Sequence, residues 1–132
     1  MAQYGEKAVV ALLIGLTGFI TGMLLFSGGA PAEVIGLAGI SGLGALLGGA
    51  AFGGFFGRQS KYAVGWAVLG AVLCTASGAG VGGLLLGGAE GLIVAPAMVF
   101  FGLFVQPIVG LCWVAMMIGV HLVAARQRFA VA

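Results

Sequence analysis

Polar positions are so sparse along this chain that they divide it into blocks. No charge falls between Lys7 and Glu33, none between Glu33 and Arg58, and only Glu90 interrupts the stretch from Lys61 to Arg126. Within the blocks apolar residues follow one another without alternation. Continuous apolar runs beyond about 18 residues are the signature of transmembrane helices, whereas barrel strands would show segments of about ten residues alternating apolar and polar. Backbone groups inside hydrocarbon must be satisfied within a helix or a closed barrel. The pattern therefore predicts an all-α integral membrane protein.

Four spans fit the blocks, 8–26, 34–57, 62–86 and 94–125, in a single membrane domain made of two hairpins. At 1.5 Å per residue the first is roughly 28 Å long, close to one bilayer core. Ala30-Pro31-Ala32 has the small-x-small form of a signal-cleavage site. The run before it is longer than a secretory h-region of about 7–15 residues, so it reads as a retained span. Paired glycines and Pro31 make 27–33 a turn, and Arg58-Gln59-Ser60-Lys61 closes the first hairpin. Glu90, inside Gly87-Gly88-Ala89-Glu90-Gly91, marks the second outer turn. A further span over 92–105 would be too short to cross, so the fourth is read as one helix bent near Pro107.

Composition agrees: 62% of residues are hydrophobic and 6% charged, where a soluble domain has about a quarter charged. If four spans alternate, Lys7, Arg58, Lys61, Arg126 and Arg128 share one side and Glu33 and Glu90 the other. The positive-inside rule then makes both termini and the central loop cytoplasmic, with a bacterial inner membrane as the expected location. Tyr4, Tyr62 and Trp66 fall near the cytoplasmic boundary, as an aromatic belt would. So small and divided a positive charge is a topology signal and not a nucleic-acid footprint. The outer turns share Gly-Gly-Ala followed by Glu, a weak hint that 1–61 and 62–132 are parallel repeats.

Glycine spacing is the clearest pattern with chemical meaning. Gly49, Gly53 and Gly57 lie four apart on the second span, with Gly44 and Gly48 on a neighbouring stripe. Gly83, Gly87 and Gly91 repeat the spacing at the end of the third, and Gly18 with Gly22 gives a pair on the first. Small residues at this spacing let helix backbones approach closely, either within this bundle or against other subunits.

His121 is the only histidine, an interfacial side chain or, less simply, an axial ligand for a pigment or haem. Gln106 and Pro107 form a polar break that either lines a small pathway or is a kink supported by Thr17, Thr21, Ser41, Thr75 or Ser77. Glu33 and Glu90 are read as solvated carboxylates, with a paired gate as the alternative. Cys74 and Cys112 stand alone in apolar runs and give neither a disulfide framework nor a metal site. One histidine, two isolated thiols and no aspartate leave little from which to build a catalytic centre.

The expected role is a non-catalytic accessory subunit of a larger membrane complex, energy-transducing assemblies included, without a cofactor of its own. It would meet lipids and other membrane subunits through its glycine faces. The alternative is a small transporter or homo-oligomeric pore with its polar break at Gln106-Pro107.

Overall fold

The computed structural model describes residues 2–131 and is all-helical among them. Its elements are α1 (Ala2–Leu25), α2 (Pro31–Phe52), a 3-10 turn (Gly53–Phe55), α3 (Ala63–Val105) and α4 (Pro107–Val131). All four α-helices are long and apolar enough to cross a membrane. The side chain of Tyr4 lies outside the described residues.

α1 and α2 are joined by a tight turn in which Phe26 N–H donates to the Gly22 carbonyl and Gly29 N–H to that of Phe26. Pro31 then opens α2 at a position where its missing N–H costs no hydrogen bond, with Glu33 in the first turn. The two helices run antiparallel at close range. Gly15 meets Leu46, Gly22 meets Ala38 and Ser41, and Gly49 meets Ala11 and Ile14. A Cβ at Gly18 would overlap that of Ala45, so the absence of a side chain is what lets the backbones approach.

Two boundaries differ from the sequence expectation. The second span does not run as α-helix to 57: α2 stops at Phe52, and Gly57 lies beyond the 3-10 turn with φ +69°. Gly49, Gly53 and Gly57 therefore do not form one helical stripe. Phe56, also in this segment, is fully buried among Val10, Ile14, Ala71, Cys74 and Val120.

The second difference concerns 87–107. Glu90 is helical, and the reversal falls at Gly88, whose φ 63° and ψ −147° divide α3 into arms 63–87 and 89–105. The 89–105 arm folds back on its partner, with Gly83 and Gly91 backbone to backbone and Gly80 against Leu92 and Pro96. Gly83 and Gly91 thus face each other across a reversal instead of sharing a stripe, and nothing lies near Gly87.

The arm continues until Gly102 reaches Leu25 of α1, so it crosses one end of the bundle obliquely. It does not merge with α4. Pro107 disfavours helical geometry at the preceding residue, and Gln106 takes φ −106° and ψ 82°. The single bent span expected over 94–125 is two helices meeting at a corner, with Leu103 against Gly110.

α4 then returns antiparallel to both α1 and the 63–87 arm. Trp113 reaches Thr75, and Arg128 reaches Glu6. The basal end of the molecule thus holds Glu6, the 53–62 segment and Arg128, and the distal end holds Leu25, Glu33 and the Gly88 reversal.

Candidate functional site

Two places gather polar side chains, and they differ in kind. The first is the basal end. Here Gly57 N–H donates to His121 Nδ1 at 3.1 Å. An imidazole that accepts at Nδ1 carries its proton on Nε2, so while this bond holds Nε2 has no lone pair for a metal. A Cβ on Gly57 would lie 2.7 Å from the Ala124 carbonyl carbon, so a bare backbone at positive φ is needed for the loop to seat against α4.

Around this contact, Arg58 lies 4.5 Å from the centre of the Trp66 ring, which itself stacks on Phe55 at 5.6 Å. Arg58 and Arg128 both donate to the Gly54 carbonyl, and Arg128 Nε also meets Glu6 Oε1 at 2.6 Å. These contacts tie together both ends of the described chain and the central loop.

The second place is a cavity of about 60 Å³ within the bundle. It is partly open and its wall is mostly apolar; Thr17, Thr21, Ser41, Thr75 and Trp113 are the hydroxyl and indole residues among those lining it, and Leu25, Phe26 and Val99 line its distal part. Thr17 and Ser41 each donate their hydroxyl to a carbonyl one turn back, those of Leu13 and Leu37. Trp113 Nε1–H donates to Thr75 Oγ1 at 3.2 Å. Cys74, fully buried, points its thiol at the Gly48 carbonyl. Close packing of α2 on α3 brings these groups together, since Gly44 lies directly against Gly78 and Gly48 against Cys74 and Ser77.

The residues singled out from the sequence separate accordingly. Gly18, Gly22, Gly44, Gly48, Gly49, Gly83 and Gly91 lie at close helix contacts, and Gly53 meets Val10 from the 3-10 turn. Glu33, Glu90 and Gln106 are exposed and lie apart from the hydroxyl-lined cavity. Glu33 instead borders a surface hollow with Phe26 and Leu37. Among the described residues no three histidine, cysteine or acidic side chains gather as metal ligands would.

Sequence reasoning missed Trp113 and Phe56. The one signal for Trp113 was its indole N–H, which needs a partner inside an apolar run. The hydroxyl residues were visible, but as support for the Pro107 kink and not as the wall of a common cavity.

These features define the class of protein: an all-helical, multi-pass membrane protein with helices joined at glycine contacts. Comparison with protein-family models, with curated proteins and with solved structures finds no match to this chain.

Proposed function

We propose that this chain is a non-catalytic accessory subunit of a larger complex in a bacterial cytoplasmic membrane. In this reading the basal end, rich in Arg and Lys, faces the cytoplasm together with both termini. The helices then form two hairpins, the second carrying the oblique 89–105 arm, and their glycine faces set the packing. The observation that carries the proposal is the state of α3. Its most apolar window has 0% of its residues buried within the chain, against 39% for α1 and α2.

Exposure to lipid is not itself unfavourable, because lipid tails are as apolar as leucine. The support comes from how much of the 89–105 arm is left uncovered. One side of it packs on its own chain, at Gly80, Gly83, Leu25 and, through the buried Leu103, Gly110, while Ile93, Met98, Phe101 and Phe104 point outward. Beside it the exposed amide of Gln106 needs a hydrogen-bond partner or the membrane interface. A neighbouring subunit supplies both packing and polar contact.

The test is a photo-crosslinking residue at Phe104, with one at Leu12 as the lipid-facing control, followed by mass spectrometry of native membranes. A defined membrane-protein adduct at 104 and not at 12 supports the proposal; lipid adducts at both positions reject it.

The cavity, with four hydroxyl residues in a mostly apolar wall, favours a second reading, a small pore or transporter. That reading requires solute flux in proteoliposomes of the purified chain, and absence of flux ends it.

A further inference from the structure

We propose that the partly open cavity between α1, α2, α3 and α4 is a hydrated site that binds neutral hydrogen-bonding molecules, about two waters in its volume of about 60 Å³. The decisive group is Thr21. The residue is only 6% exposed and is among those lining the cavity, and its buried Oγ1 finds no hydrogen-bond partner in the protein. The other hydroxyls show what Thr21 forgoes. Thr17 and Ser41 satisfy their protons on carbonyls one turn back, the usual resort of a hydroxyl in a helix. Thr21 does not take that bond. A buried hydroxyl without a partner is costly in an apolar medium, and a bound water removes the cost.

The inventory of free bonding sites fits water. Thr17 and Ser41 have given away their protons and keep oxygen lone pairs. Thr75 accepts from Trp113 and retains its own proton. Thr21 has both to offer. Together they provide donors and acceptors in one chamber, which suits a molecule that is itself both.

An ion fits poorly. The wall holds no carboxylate and no cationic side chain, and an uncompensated charge so placed would lose its hydration with nothing to replace it. The guest is therefore neutral, and Phe26 and Val99 at the distal part of the wall limit it to a small one.

The test uses the full chain in lipid bilayers. Water-edited solid-state NMR of the unmodified protein should show early magnetisation transfer from water to Thr21 and Thr75. Ser77, whose hydroxyl is held on the Leu73 and Cys74 carbonyls, is the control that needs no water. Thr21→Val keeps the side-chain shape and removes the hydroxyl. If water is bound there, the melting temperature falls by about 4 °C, while Thr21→Ser stays nearer the parent. A dry cavity predicts the opposite sign, because valine would remove an orphaned polar group. Transfer to Thr21 no faster than to Ser77, or a rise in melting temperature with Thr21→Val, overturns the proposal. If Thr21→Val fails to fold, the NMR comparison decides alone.

Discussion

The basal and distal ends of this molecule both carry glycines and large apolar side chains and reach opposite outcomes. At the basal end a segment without regular α-helix is held from every side. Phe56 is buried in the core, Gly57 is bonded to His121, and Arg58 is stacked on Trp66. At the distal end a regular helix of large apolar residues is held along one side only, at Gly80, Gly83, Leu25 and Gly110, and its other side is bare. Regularity of backbone and security of attachment are thus separate properties. A helix satisfies its own hydrogen bonds and needs no neighbour to exist in lipid. An irregular segment must find each partner elsewhere, which is why it is the better anchored of the two.

The largest effect should come from emptying the basal anchor. Phe56 has no exposed surface and fills space between α1, α3 and α4. Phe56→Ala should cost about 3 kcal/mol or more, read as a lowered unfolding midpoint in detergent or bicelles. A cost near zero would break the comparison, because the loop would not be an anchor.

Next is Gly57→Ala, which places a Cβ at positive φ and against the Ala124 backbone. About 2 kcal/mol is expected from the backbone conformation alone, measured in the same unfolding experiment. A smaller loss, about 1 kcal/mol, is expected for His121→Ala, which leaves the Gly57 N–H without its acceptor. In a double-mutant cycle, coupling of Gly57 and His121 through this one contact would make their costs less than additive.

How much of this was legible in the sequence depended on range. The blocks between charges located four long apolar helices because hydrocarbon imposes a simple length rule. Arg58 and Lys61 drew attention to the central loop as the only charges there. What fixes that loop, however, is Phe56 and Gly57 just before them, and nothing local distinguishes Phe56 from Phe55 or Phe52 in a glycine-rich run. Burial is decided by α1, α3 and α4 together, the last of them more than 60 residues away, as the Gly57–His121 bond shows.

The distal end failed differently. Gly87-Gly88 did signal a reversal, but spacing alone put Gly83, Gly87 and Gly91 on one stripe, whereas Gly88 turns the chain and makes Gly83 face Gly91. Pro107 was visible as a kink, and only the backbone at Gln106 shows it to be an end. The cavity was least legible, because its four hydroxyls come from three helices whose relative rotation no short-range pattern encodes.

The smallest effect on stability should be at the distal arm, and it is the sharpest probe of the contrast. Phe104 is 86% exposed and Ile93 77% exposed. Truncating either to alanine removes almost no contact within the chain, so the isolated protein should lose less than about 0.5 kcal/mol. The basal ion pair of Glu6 and Arg128 provides the matched comparison, since Glu6→Gln should also cost about 1 kcal/mol or less. The two kinds of variant part company in the membrane. Glu6→Gln alters a contact internal to the chain, so association with neighbouring subunits should persist. Phe104→Ala and Ile93→Ala should weaken that association while the isolated chain unfolds as before. Recovery of the complex by native mass spectrometry reads the difference. If both distal variants assemble like the parent, the arm's bare surface faces lipid alone, and the weakly held end is only a helix lying in the bilayer.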